Sequence, residues 1–137
     1  MGGSRAQMSE TVRGWARTLA VAAGLAVVCA FLWWAWMGRL DRKTYTEFEV
    51  VGCGVCVALA VVAARLLVPP RRGWLMTIAA TAGFSYSLGK TASAYDTTGL
   101  WLAGEFFLVV GMLFGLTVLW RIVESVRAVA RWRGPTP

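Results

Sequence analysis

The chain of 137 residues contains no histidine and few charged residues. Histidine is the commonest general base and the commonest metal-binding side chain near neutral pH, so its absence disfavours acid–base catalysis and most transition-metal sites. Charged residues make up 15% of the sequence, whereas soluble globular domains carry roughly 25%. Apolar residues make up 58%, and we therefore expect most of the chain to lie in lipid rather than in water.

The sequence also lacks the motifs that mark common enzyme and cofactor sites. It has no glycine-rich phosphate loop and no HExxH zinc motif. Its five methionines are scattered, and with three cysteines and no histidine they make a poor ligand set for a metal ion. A net charge of +7 would suit nucleic acid if the charges formed a patch, but they lie in short clusters between apolar runs. We expect a non-enzymatic protein with no cofactor, no metal and no nucleic-acid partner.

Four apolar stretches are long enough to cross a bilayer, whose core of about 30 Å needs roughly 20 residues of helix. The third is the most polar, because hydroxyl side chains such as Thr77 and Ser85 dilute it, and we expect it to face other helices. The connections are short and leave no room for a soluble domain. The sequence therefore predicts an all-α, polytopic integral membrane protein, a single up-down bundle with spans at about 18–38, 50–68, 73–90 and 99–120.

The distribution of positive charge predicts how this bundle is oriented. The N-terminal segment, the second connection and the C-terminal tail together hold ten lysine and arginine residues, and the other side holds four. Because cytoplasmic flanks are enriched in these residues, both termini are predicted to be cytoplasmic. All eight tryptophans fall near predicted span ends, where such rings favour the headgroup level. A multi-pass protein of a bacterial inner membrane is the expected setting.

The segment after the fourth span, 121–137, is a basic and partly helical tail. Ile122, Val126 and Val129 share one stripe at helical spacing, and charged residues share the other. Two interpretations stay open: a cytoplasmic extension of the span, or a surface-lying helix that binds anionic lipid. The candidate headgroup ligands are Arg121, Arg127, Arg131 and Arg133.

Small residues recur at four-residue spacing on three of the predicted helices. Such faces let helix backbones approach closely in lipid, where packing drives association. They serve either packing within the bundle or association with another membrane protein. The candidate packing residues are Gly52, Cys56, Ala60 and Ala64 in the second span, Ala79, Gly83 and Ser87 in the third, and Gly104, Gly111 and Gly115 in the fourth.

Glu105 is the strongest candidate for a working polar residue, because an ionised carboxylate inside a span is costly. In an antiparallel hairpin the third span would bring polar side chains near it, namely Ser85, Tyr86, Ser87 and Lys90. A structural role, neutral or paired with Lys90, and a role in proton or cation handling are both open.

Cys53 and Cys56 have the CxxC spacing of thiol oxidoreductases. Their position within a helical pattern, and the nearby acidic Glu47 and Glu49, disfavour a reactive thiolate. Packing of small residues is the favoured interpretation, and redox catalysis is the alternative.

These patterns favour a non-catalytic membrane protein that acts by helix–helix association, as an accessory subunit of a larger complex or as a self-assembling homo-oligomer. In size, helix count, short connections and basic tail the chain also resembles the phage holins, which implies a pore-forming alternative. A small ion- or proton-coupled transporter using Glu105 is a further alternative.

Overall fold

The computed structural model describes residues 3–38 and 46–132, which form four α-helices and one short 3-10 turn. The helices are α1 (Gly3–Trp36), α2 (Glu47–Leu66), α3 (Trp74–Tyr95) and α4 (Trp101–Trp132), and the turn is Pro70–Arg72. Three of them contain segments long and apolar enough to cross a membrane: Glu10–Trp36, Glu47–Leu66 and Trp101–Trp132. α3 has 22 residues but is more polar. The predicted all-helical architecture is therefore confirmed, and the composition is consistent with a membrane protein.

The helices extend beyond the apolar runs from which they were predicted. α1 begins at Gly3 rather than near residue 18, and α3 continues to Tyr95 rather than 90. α2 begins at Glu47 because Thr46 forms a capping box with Glu49, in which each side chain accepts the other residue's main-chain N–H. It ends at Leu66, shortly before Pro69 and Pro70, which disfavour continuation of the helix.

α1 and α3 run in the same direction and form the central pair of the bundle. Gly83 of α3 lies against the main chain of Ala26. One turn further along both helices, the Ser87 hydroxyl donates to the carbonyl oxygen of Ala30 over 3.2 Å. Near the ends of the pair, the indole N–H of Trp33 donates to the Thr91 hydroxyl over 3.3 Å. The polar residues of α3 thus bond to its neighbouring helix, which agrees with the expectation that this helix faces other helices.

The other two helices attach to opposite members of this pair, α2 mainly to α1 and α4 mainly to α3. The core lies where the four helices meet. Its most buried side chains include Cys29, Cys53 and Met76, which are at most 1% exposed. Trp33 is only 4% exposed and packs edge-on against Phe84. The ring of Trp33 thus fills the core, and its N–H is satisfied by Thr91.

Arginine side chains from the second connection and its flanks meet at one end of the bundle. Arg72 bonds to Thr18 of α1 and the Arg65 guanidinium lies 4.6 Å above the ring of Trp120, so the basic ends of these segments meet at one end. The capping acids Glu49 and Asp96 lie at the opposite end. Arg39, Arg42 and Lys43, which the charge comparison assigns to that opposite end, lie outside the described residues.

Candidate functional site

α4 is the helix that the rest of the chain covers least. Of its 32 residues, one is buried, Leu116. Large aromatic side chains project from it, and Phe106, Phe107 and Phe114 are each at least 65% exposed. A helix with this composition buries its surface only in lipid or against another protein.

The three predicted stripes of small residues have different surroundings. On α3, a methyl group added at Gly83 would lie 2.7 Å from the Cα of Ala26, and on α2 one added at Gly52 would lie 2.6 Å from the ring of Trp36. These two stripes therefore pack within the chain. On α4, a methyl group added at Gly104, Gly111 or Gly115 would meet no described atom within 4 Å.

The remaining members of the stripes follow the same division. Ala64 is buried, and Cys56, Ala60 and Ala79 are half-buried, so they belong to the packed interior of α2 and α3. All three glycines of α4 are exposed. We call the side of α4 formed by Gly104, Gly111 and Gly115 the glycine face.

An apolar groove of about 470 Å³ separates α2 from α4 beside this face. Its floor is made by Trp33 and Phe84 of the central pair. Gly54 on α2 and Gly115 on α4 line its two sides, and at both positions an added methyl group would meet no described atom within 4 Å. The glycine face therefore borders a cleft that the described residues do not fill.

The structure does not bring the polar residues around Glu105 together as the hairpin argument expected. Both carboxylate oxygens of Glu105 lie close to Gly89, at 3.1 and 3.2 Å from where a Cβ would be. Among the described residues Lys90 and Glu105 form no ion pair. The ammonium group of Lys90 lies 5.6 Å from the ring centre of Tyr86, a residue that is 64% exposed. Ser87 bonds to α1, and Ser85 is buried without a described hydrogen-bond partner.

The CxxC pair lies within one uninterrupted helix. Cys53 is buried at the groove and Cys56 is half-buried, and both thiols are free. Neither thiol forms a disulfide in this structure, nor does Cys29 in the core.

Arg65, in the last turn of α2, is buried within the bundle. Its side chain is 7% exposed and joins three helices. One nitrogen, Nη2, donates to the Thr77 hydroxyl of α3 over 2.7 Å, and the guanidinium stacks on Trp120 of α4. The sequence contains a signal for the contact between Arg65 and α3. Only the two prolines and a short turn separate the last turn of α2, which carries Arg65, from the first turn of α3.

The basic tail continues α4 without a break as far as Trp132. Its apolar stripe of Ile122, Val126 and Val129 is exposed, and Arg121 lies 4.0 Å from Glu124. Arg127 and Arg131 are exposed, whereas Arg133 lies outside the described residues. The uninterrupted helix favours the interpretation of the tail as an extension of the span.

No metal-binding group of three or more cysteine, aspartate or glutamate side chains occurs among residues 3–38 and 46–132. Comparison of the chain with known protein families, with curated proteins and with solved structures finds no match.

Proposed function

We propose that this protein is a non-catalytic membrane protein that acts by helix–helix association through the glycine face of α4. It serves as an accessory subunit of a larger membrane complex or as a self-assembling bundle. The observation that carries the proposal is the contrast between glycines. The space beside Gly52 and Gly83 is filled by other residues of the chain, whereas no described atom lies within 4 Å of a methyl group added at Gly111 or Gly115. In lipid, a face without side chains stabilises a complex because a second helix backbone can approach it closely.

We further propose that all four helices cross the membrane, with both termini in the cytoplasm of a bacterial cell. The third span is supported by the partners of its polar side chains, since Thr77, Ser87 and Thr91 all bond to other helices. Such bonds lower the cost of polar groups in hydrocarbon. The orientation is supported by the contact of Arg72 with Thr18 in the N-terminal half of α1 and of Arg65 with Trp120 of α4, since these place basic residues at one end of the bundle.

The association proposal is tested by replacing Gly111 or Gly115 with leucine. Because both positions are open, neither change should destabilise a single chain. Each should weaken association by about 1–3 kcal/mol, or roughly 5–150-fold in the association constant, because a branched side chain separates the two backbones. Oligomer size and co-purifying proteins, measured by native mass spectrometry in mild detergent, provide the readout.

Gly24→Leu is the matched control, because Gly24 of α1 is equally open. The proposal requires that Gly24→Leu retains the wild-type complex while the α4 variants lose it. Variants of Gly111 and Gly115 that keep the wild-type oligomer size and partners would contradict it. If the complex contains only this chain, dye leakage from vesicles then distinguishes a holin-like pore from a closed bundle.

Proton or cation handling by Glu105 is a second candidate, favoured by the position of its carboxylate. It lies one turn into α4, against Gly89, and no described side chain donates a hydrogen bond to it. Glu105→Gln keeps the shape of the side chain but cannot change charge. Flux through reconstituted vesicles that is present in the wild type and absent in Glu105→Gln would support this candidate, and equal flux in both would reject it.

A further inference from the structure

The N-terminus of α3 lacks the acidic or hydroxyl residue that normally caps a helix. Its N-cap residue is Gly73, no side chain caps its main chain, and its first turn contains no acid. The first N–H groups of a helix and its dipole make this end positive, so negatively charged groups are favoured there. Here the charged side chains around the helix end are positive instead.

Arg65 projects from the last turn of α2 towards this helix end. Its Nε and Nη1 atoms each lie 3.6 Å from the position that a Cβ of Gly73 would occupy. The side chain is more than nine-tenths buried, and Nε has no hydrogen-bond acceptor in the described part of the chain. A buried, charged donor without an acceptor is costly, so an acceptor that completes the site would stabilise it.

Arg72 adds a second fixed cation in the turn that leads into α3. Its guanidinium lies 4.1 Å from the ring centre of Trp15, and Nη1 donates to the Thr18 hydroxyl over 3.3 Å. Neither contact supplies negative charge. The acid that interacts electrostatically with Arg65 is Glu124 of α4, which also lies 4.0 Å from Arg121. The cations at this end are therefore under-compensated by the described acids.

We propose that a phosphate group binds at the N-terminus of α3, between Arg65 and Arg72. Arginine is suited to phosphate because its planar fork donates two parallel hydrogen bonds, and helix N-termini bind the same anion. Trp15 and Trp120 flank these arginines, and such rings favour the headgroup level. The phosphate is supplied by an anionic phospholipid headgroup or by free phosphate from the cytoplasm. This site is independent of the glycine face of α4.

The experiment measures thermal unfolding of the full chain in zwitterionic nanodiscs, in nanodiscs containing phosphatidylglycerol, and in zwitterionic nanodiscs with inorganic phosphate. Ionic strength is held constant with chloride. A rise in Tm with phosphatidylglycerol alone identifies the lipid headgroup, and a rise with inorganic phosphate shows that free phosphate also binds. No rise in either condition overturns the proposal.

Arg72→Gln should lose most of that rise, whereas Arg131→Gln should retain it. Arg131 is the matched control because it is an exposed arginine on the far part of α4. Equal losses in the two variants would mean that general surface charge produces the rise, and would overturn the site.

Gly73→Asp gives a second test that does not depend on losing an arginine. Gly73 has φ of −60° and ψ of −27°, and an added Cβ would make ordinary contacts at 3.4 Å or more, so another residue fits there. An aspartate would supply the missing anion from within the chain, beside Arg65 and at the positive end of the helix dipole. We expect a higher Tm in zwitterionic nanodiscs and no further rise with phosphatidylglycerol. Gly73→Asn, which has nearly the same size as the aspartate but no charge, should keep its response to the lipid. An unchanged lipid response in Gly73→Asp would overturn the proposal.

Discussion

Gly83 of α3 is in direct contact with the main chain of Ala26 of α1, so the backbones of the two central helices approach closely at this level. A Cβ at residue 83 would lie 2.7 Å from the Cα of Ala26. The approach brings the Ser87 hydroxyl to the carbonyl of Ala30 in the next turn. A single hydrogen atom at residue 83 is thus a condition for the hydrogen bond at residue 87.

Gly83→Ala should therefore destabilise the bundle by about 1–3 kcal/mol, because main-chain atoms of Ala26 cannot move aside as a flexible side chain would. Thermal unfolding in detergent measures the change. Gly24→Ala is the control, since a methyl group there meets no described atom within 4 Å. Equal stability of the two variants would contradict the close contact.

Thr77→Val should lower the free energy of unfolding by about 1–3 kcal/mol, because it removes the acceptor of the buried Arg65 guanidinium without changing side-chain size. Thr77→Ser should restore most of the stability. Thr117→Val is the matched control, as the exposed Thr117 hydroxyl only donates to the carbonyl of Leu113 in its own helix. A loss in Thr117→Val as large as that in Thr77→Val would argue against a specific role of the Arg65 bond.

Asp96 should make the start of α4 sensitive to acid. The side-chain hydroxyl of Thr98, followed by the main-chain N–H groups of Thr98 and Trp101, donates to this carboxylate and holds its pKa below the ordinary 3.8. The stabilisation is complete above about pH 4 and is lost as the pH falls through the lower, folded-state pKa. The protection factors of the first amides of α4, which are corrected for the intrinsic pH dependence of hydrogen exchange, should fall over that range. Asp96→Asn should show faster exchange at neutral pH and no such acid step.

The proposed orientation is checked with single cysteines in a variant lacking Cys29, Cys53 and Cys56. Thr97→Cys lies in the connection between α3 and α4, and Ser125→Cys lies in the extension of α4; both positions are exposed. An impermeant thiol reagent added to intact cells should label residue 97 and leave residue 125 unlabelled until the membrane is opened. The reverse pattern would invert the topology.

Three of the helices could be predicted because their apolar runs exceed what a bilayer needs. The extension of α1 to Gly3 could not, because residues such as Arg13 and Glu10 interrupt the hydropathy signal without opposing a helix. Burial of Arg65 and Trp33 was missed for a related reason. Both residues are usual at membrane interfaces, and the hydroxyl groups to which they donate, those of Thr77 and Thr91, lie on another helix.

The sequence predicts small-residue faces on three helices, but it does not predict which of these faces is left open for association. Gly83 and Gly111 belong to the same sequence pattern, and periodicity carries no information about which neighbour a helix meets. The difference arises because α3 pairs with α1 whereas α4 attaches mainly to α3 and leaves its glycines open.

The attachment of α4 to one side of the central pair also determines how the bundle comes apart. α1 and α3 are joined by hydrogen bonds at two successive levels and by the contact at Gly83, while α4 contributes a single buried residue, Leu116. Local opening follows the regions with the fewest buried contacts. α4 is therefore expected to separate first, and the α1–α3 pair to persist as the last folded unit under heat or mechanical force.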